Sequence, residues 1–260
     1  MPYLATMHLL LDFPVGLRVG GQQILLHPVF ETLGIFTGFR YFLWQRKRYG
    51  DTLEQTHRVW IVIAATFGAV AGSRLLGALE NPAALHASAH GWWYALQQKT
   101  LVGGLLGGLW AVEFAKKLLG QRQRSGDLFV YPLLLAMLIG RVGCFSMGVY
   151  EQTFGLPTQW PTGINLGDGL LRHPVALYEM AFLVLLWIWL KKIQPALPAG
   201  ALFRRFMLAY LAFRFFLDFI KPHYAYGGWL SAIQIACLLG WLWYIPHWWP
   251  FSKSSSTSIS

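Results

Sequence analysis

Seven long apolar stretches constrain the fold of this chain more than any other feature of its sequence. They lie at residues 25–45, 59–79, 100–119, 128–147, 174–190, 202–220 and 229–246. A helix needs roughly 20 mostly apolar residues to cross a bilayer, where no water satisfies backbone polar groups. Only 12% of the 260 residues are charged, against about 25% in a typical soluble domain. The pattern predicts an all-α, multi-pass membrane protein with about seven transmembrane helices.

The basic residues between these stretches predict the orientation of the chain. Those near the ends of the first, third and fifth stretches, with the tail, are Arg46, Lys47, Arg48, Arg58, Lys116, Lys117, Arg122, Arg124, Lys191, Lys192, Arg204, Arg205 and Lys253. The opposite side holds Arg18, Lys99, Arg172 and Lys221. Because cytoplasmic loops are enriched in Lys and Arg, we expect the N-terminus outside and the C-terminus in the cytoplasm. Residues 1–251 are expected to form one transmembrane domain, and residues 252–260 a short disordered cytoplasmic tail.

Charge and cysteine content argue against two other classes of protein. The formal net charge is +10, but the basic residues form short clusters beside apolar stretches, as orientation signals do. Nucleic-acid binding is therefore not expected. The two cysteines, Cys144 and Cys237, both lie within apolar stretches and offer neither a disulfide framework nor a CxxC metal motif. We expect no cofactor and no bound metal.

Arginines inside the apolar stretches indicate a ligand. Arg40 lies near a cytoplasmic end, where its side chain can reach the interface, and Arg74 either does the same or lines a cavity. Arg141 and Arg214 lie deeper, where a guanidinium costs about 2.5–3.5 kcal/mol. One interpretation is internal ion pairing, of Arg214 with Asp218 at i, i+4 and of Arg141 with Glu179 or Glu31. The other, compatible with the first, is that both arginines hold a phosphate bidentately.

Other polar groups recur at a compatible depth. They are Glu31 in the first stretch, His173, Tyr178 and Glu179 at the start of the fifth, and Tyr210 one turn before Arg214. Together they predict a polar cavity that opens towards the outer leaflet. Gly103 and Gly104, with Gly107 and Gly108, permit close helix packing or the approach of a lipid headgroup. Gly143 likewise leaves space beside Arg141.

Six motifs in the same order resemble the prolipoprotein diacylglyceryl transferase family over nearly the whole chain. They are GSRLLG at 72–77, VGGLLGG at 102–108, GRVGCFSMG at 140–148, RHPVALYE at 172–179, YLAFRFFLDF at 210–219 and SAIQI at 231–235. The resemblance implies seven spans and a reaction at the outer face of the bacterial inner membrane. A diacylglyceryl group would move from phosphatidylglycerol to the lipobox cysteine thiol of a preprolipoprotein, releasing glycerol phosphate.

The resemblance also implies the roles of individual residues. Arg141, Arg214 and Tyr210 match family motif positions, with Asp218 in place of a Glu, and the arginines would hold the donor phosphate. The expected catalytic residues are Arg141, Arg214, Tyr210, Glu31 and His173. The expected substrate-binding residues are Arg74, Gly103, Gly104, Gly143, Cys144, Tyr178, Glu179 and Asp218.

The chain departs from the family motifs at the position of the presumed base. Family members usually carry FHGG where this chain has Leu101-Val102-Gly103-Gly104, and Cys144 replaces an Asn. Only a few per cent of a free thiol is ionised at pH 7, so attack by cysteine needs activation. Glu31, His90 or His173 are the alternative bases. A non-catalytic lipid-binding or lipid-moving protein, a transferase with another acceptor, and a small-solute transporter remain alternatives.

Overall fold

The computed structural model describes residues 12–19, 22–87 and 91–244, and not the side chains of residues 18 and 19. The predicted disordered tail and the alternative base His90 lie outside these residues. In the described part, the α-helices are α1 (Leu26–Tyr49), α2 (Gln55–Leu79), α3 (Pro82–Ala87), α4 (Gly91–Gln97), α5 (Leu101–Leu118), α6 (Val130–Met147), α7 (Val175–Ile193), α8 (Ala201–Leu217) and α9 (Ala232–Tyr244). Each of the seven predicted apolar stretches overlaps one of them.

Two small antiparallel sheets correct the purely helical prediction. Strands β1 (Gly16–Val19) and β2 (Gln22–Leu25) pair with Gly16 opposite Leu25, directly before α1. Strands β3 (Ile164–Asn165) and β4 (Leu171–Arg172) pair in the segment before α7. The chain is therefore mostly helical rather than all-α. Strands this short carry too little apolar alternation to stand out in a sequence.

Among the described residues, two helical segments are long and apolar enough to cross a membrane, namely α2 and Gly126–Tyr150, which comprises α6 and its flanking 3-10 turns. Only 6% of the most apolar window of α2 is buried. Phe67 and Leu75 on this helix are 74% and 68% exposed. A core helix of a soluble protein hides such side chains, whereas a helix in hydrocarbon does not.

The chain forms two compact units. The first comprises the described residues up to Val59, Gly120–Phe206 and Phe216–His223. The second comprises Trp60–Leu119, Met207–Phe215 and the described residues from Tyr224. The first unit holds α1, α6 and α7, and the second holds α5 and α9 with most of α2.

Glycines allow α1 and α6 to pack backbone to backbone in the first unit. A Cβ on Gly34 would lie 2.8 Å from the Ala136 carbonyl oxygen, and one on Gly38 2.8 Å from that of Pro132. At the other end of the contact, a Cβ on Gly143 would lie 3.0 Å from Phe30 Cβ and 3.1 Å from the His27 carbonyl oxygen. This close approach brings the first turn of α1 against the last turns of α6.

Two aspartates organise the opposite end of the first unit. Asp51 accepts hydrogen bonds from Arg46 Nε at 2.9 Å, from Arg58 Nε at 2.7 Å and also from Arg58 Nη2. Burial opposes ionisation of Asp51, but the hydrogen bonds from Arg58 and the Leu53 N–H outweigh it and hold its pKa below 3.8. Asp127 accepts from the backbone N–H groups of Gly200 at 2.6 Å and Phe203 at 2.8 Å, which caps the start of α8.

Glycines also set the packing of α2 on α5 in the second unit. A Cβ on Gly72 would lie 2.9 Å from Gly107 Cα, and a Cβ on Gly107 equally close to Gly72 Cα. Thr100 caps α5, because its Oγ1 accepts from the Gly103 N–H at 3.2 Å. The small residues predicted to permit tight packing thus do so here.

Candidate functional site

Arg141 lies near the end of α6 and forms a buried ion pair with α7. Its Nη2 is 2.9 Å from Glu179 Oε1, and the two side chains are 12% and 1% exposed. Its Nη1 donates to Cys144 Sγ at 3.5 Å, one turn further along α6. Of the two partners that the sequence left open for Arg141, Glu179 forms the observed ion pair. The pair joins α6 to α7 within the first unit.

A cluster of ionisable side chains lies where α1 meets α6. His27 Nδ1 is 3.0 Å from Glu151 Oε2, and His27 Nε2 is 3.5 Å from Glu31 Oε2. One potential ligand atom each from His27, Cys144 and Glu151 lies within 4.8 Å of the other two. His27 is absent from the predicted site. Its signal was the spacing to Glu31, since positions i and i+4 share one helix face.

His173 belongs to a separate hydrogen-bonded chain in the first unit. Its Nδ1 lies 3.2 Å from Tyr178 Oη, which in turn lies 2.6 Å from Thr162 Oγ1. The Trp160 ring meets the imidazole edge to face, with centroids 5.9 Å apart. The structure therefore groups His173 with Tyr178, one turn along α7, on the side of the β3–β4 sheet.

Arg172 and Asp168 hold the turn of that sheet closed. Arg172 Nε donates to Asp168 Oδ2 at 2.8 Å, and its guanidinium lies over the Phe154 ring at 5.0 Å. The hydrogen bond from Arg172 lowers the pKa of Asp168 from its ordinary value of 3.8. Arg172, which is predicted to lie on the outer side, thus pairs within the segment between α6 and α7.

An open pocket reaches Cys144 from the α7 side. Its empty volume is about 200 Å³, including space open to solvent. The lining residues come from the end of α6, the following loop and the start of α7: Cys144, Phe145, Gly148, Thr153, Phe154, Leu166, Pro174, Val175 and Ala176. Cys144 thus lines this pocket and also belongs to the ionisable cluster.

Five of the remaining predicted residues occupy α2, α5 and α8. Arg74 Nη1 donates to the Gln98 carbonyl oxygen at 2.9 Å. A Cβ on Gly103 would clash with the α2 backbone, whereas one on Gly104 would meet Ala69 O only at 3.6 Å. Tyr210 and Arg214 are 0% and 4% exposed in the second unit.

Asp218, predicted as a partner of Arg214, follows α8 in the first unit and is 1% exposed. The convergence of Arg141 and Arg214 on one phosphate stays a prediction.

Comparison with known proteins identifies the family of this chain. The sequence model of the prolipoprotein diacylglyceryl transferases matches residues 14–249. The chain belongs to the prolipoprotein diacylglyceryl transferase family. This membership makes it a transferase and confirms the resemblance carried by its ordered motifs.

Several relatives match along most of their length, and each is named phosphatidylglycerol–prolipoprotein diacylglyceryl transferase. One from Nitratidesulfovibrio vulgaris is 29% identical over 247 residues, which cover 86% of this chain and 88% of the relative. One from Pseudomonas aeruginosa is 26% identical with the same coverage. One from Bordetella parapertussis is 30% identical over 84% of this chain and 86% of its own.

Within this family, Val102 is a departure with a structural consequence. The side chain lies on α5 and is 0% exposed. An aliphatic group cannot accept a proton, so the position that usually holds His contributes packing in this chain.

Proposed function

We propose that the chain transfers a diacylglyceryl group from phosphatidylglycerol to the lipobox cysteine thiol of a prolipoprotein. The sulfur would attack the carbon of the diacylglyceryl group that carries the phosphate. A C–S bond forms, the C–O bond to phosphate breaks, glycerol phosphate leaves, and the thiol proton passes to solvent or to a protein group. The observation that carries this proposal is the family match over residues 14–249, which spans every predicted site residue.

The arginines are proposed to bind the donor phosphate. Arg141 is held by Glu179 at 2.9 Å, so its donors are oriented before the lipid arrives. Preorganised donors aimed at developing negative charge stabilise a transition state with little reorganisation. Arg214 and Tyr210, both buried on α8, are proposed to act on the same charge. Glycerol phosphate, an anionic leaving group, needs this stabilisation.

We further propose that α1, α2 and α5–α9 all cross the bacterial inner membrane, with the N-terminus outside. The basic residues beside these helices support this orientation. The exposed apolar side chains of α1, α7 and α9, such as Phe36, Leu185 and Leu242 at 60%, 65% and 59%, support contact with lipid. Cysteine accessibility at Gly50 and Gly169, in loops assigned to opposite sides, tests the orientation. Labelling of both residues from the same side would contradict it.

The transfer assay uses a lipobox peptide and phosphatidylglycerol labelled in its acyl chains. The purified full chain in phosphatidylglycerol vesicles should add the mass of one diacylglyceryl group to the peptide. Arg141→Ala and Arg214→Ala should each lower the rate by about 10²–10³, the usual effect of removing one charge-stabilising donor. Arg40→Ala is the matched control, because Arg40 is an exposed arginine on α1. Absence of transfer by the unmodified chain would refute the proposal.

Buried Val102 favours a second candidate, a lipid-binding protein without chemistry. Such a protein keeps the phosphate-binding arginines and lacks the base. Native mass spectrometry would then detect phosphatidylglycerol on the chain with its headgroup intact after long incubation with the peptide. In the enzyme, the same incubation consumes the bound lipid.

A further inference from the structure

The ionisable cluster between α1 and α6 contains three side chains that commonly bind metals. We propose that the His27 imidazole, the Cys144 thiolate and the Glu151 carboxylate bind a divalent metal ion, and that Zn²⁺ fits these ligands best. Their potential ligand atoms lie within 4.8 Å of one another. This site departs from the sequence expectation of no metal, since the ligands are distant in sequence and match no spacing motif.

The ligand set selects the metal. Thiolate and imidazole favour Zn²⁺ over Mg²⁺ and Ca²⁺, which prefer oxygen ligands. Ligand atoms around a tetrahedral Zn²⁺ lie roughly 3.3–3.8 Å apart, given bonds of about 2.0–2.3 Å. The observed 3.0 Å between His27 Nδ1 and Glu151 Oε2 and the 4.8 Å limit for the cluster bracket these separations. Small side-chain adjustments would complete the geometry.

The outer groups are arranged as they are around protein-bound zinc. With Nδ1 directed to Glu151, the Nε2 of His27 lies 3.5 Å from Glu31 Oε2. A ligating histidine usually gives its other N–H to a carboxylate, which fixes the ring and raises its basicity. Arg141 Nη1 donates to Cys144 Sγ at 3.5 Å, as an outer donor to a bound thiolate. Glu31 thus orients the imidazole of His27, and Arg141 contacts the sulfur of Cys144.

The charges around the cluster favour a cation. Arg141 brings one fixed positive charge, whereas Glu31, Glu151 and Glu179 bring three carboxylates. The His27 and Glu151 side chains are only 12% and 22% exposed, so water screens this excess incompletely. A divalent ion bound by a neutral imidazole offsets this excess, and a thiolate at Cys144 adds one further negative charge that attracts the ion.

Three protein ligands leave a fourth position for water or substrate, as in catalytic zinc sites. An acceptor thiol that replaces this water is deprotonated on binding, so the water and one proton pass to solvent. This role rests on the proposed transfer reaction, and it would supply the activation that Val102 cannot. Metal binding itself does not depend on that reaction.

The first experiment measures metal on the full-length protein in detergent. After incubation with Zn²⁺ and dialysis against metal-free buffer, we expect about one zinc per chain. The Co²⁺-substituted protein should show a thiolate-to-cobalt charge-transfer band. His27→Asn and Glu151→Gln should lose the metal, and Cys144→Ser should lose the band. Glu31→Gln should keep the cobalt band, while the affinity of the protein for the metal falls about 10–100-fold. That is the usual effect of removing a group that hydrogen-bonds a metal ligand.

Matched controls separate the site from general damage. His173→Asn and Cys237→Ala remove a histidine and a cysteine outside the cluster and should retain the metal. If a ligand variant fails to fold, protection of Cys144 from maleimide by Zn²⁺ in the Cys237→Ala background tests the same contact.

Unmodified protein without zinc above background, or a cobalt band that survives Cys144→Ser, would overturn the site. Zinc binding without transfer would overturn only the proposed function. Full transfer by metal-free protein would overturn the role of the ion.

Discussion

Replacing Glu179 with Leu should lower the free energy of unfolding, because it leaves Arg141 without its partner carboxylate. Glu179 Oε1 lies 2.9 Å from Arg141 Nη2, and only 1% and 12% of the two side chains are exposed. Removing one partner of a buried ion pair leaves an uncompensated charge and typically costs about 3–5 kcal/mol. Because Glu179 is almost inaccessible, water cannot replace it, so we expect a loss in this range. Arg141→Met should likewise destabilise the chain, by leaving the carboxylate buried.

The double variant Arg141→Met, Glu179→Leu distinguishes the pair from simple loss of packing. Replacing both members with apolar side chains often changes stability little. The free energy of unfolding of the double variant should therefore lie within about 1–2 kcal/mol of that of the unmodified chain. Unfolding is followed by circular dichroism during titration of mixed micelles with SDS. Glu54→Leu is the control, because the Glu54 side chain is 71% exposed and an exposed pair contributes at most about 1 kcal/mol. Equal stability of Glu179→Leu and the control would refute this account.

Three further predictions concern stability elsewhere in the chain. Gly107→Leu should cost at least about 1–3 kcal/mol, because its side chain would meet the α2 backbone, whereas Gly140→Ala, with nothing within 4 Å of the added Cβ, should fold normally in the same SDS titration. Asp127→Ala should cost about 1–2 kcal/mol through loss of the α8 cap, and amide hydrogen exchange should rise first at Gly200 and Phe203. The folded-state pKa of Asp51 lies below 3.8, so its stabilisation is present above that value and lost as pH falls through the folded pKa. Asp51→Asn should therefore flatten the dependence of the free energy of unfolding on pH as the pH falls below about 5, and an unchanged slope would contradict this assignment.

The helical framework was readable from the sequence because lipid imposes a simple rule. Hydrocarbon requires long apolar helices, and each predicted stretch overlaps a helix in the described residues. The β1–β2 and β3–β4 sheets were missed, since strands of two to four residues leave no distinct period. The packing contacts of Gly103 and Gly107 with α2 followed from their four-residue spacing on one face of α5.

The candidate site was predictable only in part. The depth of Arg141 signalled a buried partner, and the sequence reduced the candidates to Glu179 and Glu31. His27 was not among the predicted site residues, although it lies four residues before Glu31 and so shares a helix face with it. Its proximity to Cys144 depends on the close approach at Gly143, where α1 and α6 meet. No pattern within either helix specifies which turns of the other it will face.

The exposure of α2 has a practical consequence. A helix with 6% of its apolar window buried depends on the amphiphile around it for most of its solvation. Within the second unit it contacts α5 through the close approach of Gly72 and Gly107. Short-chain detergents, which coat such a surface poorly, should therefore release this helix before they disturb the α1–α6 packing. Purification should begin with long-chain detergents or with native lipid retained around the protein.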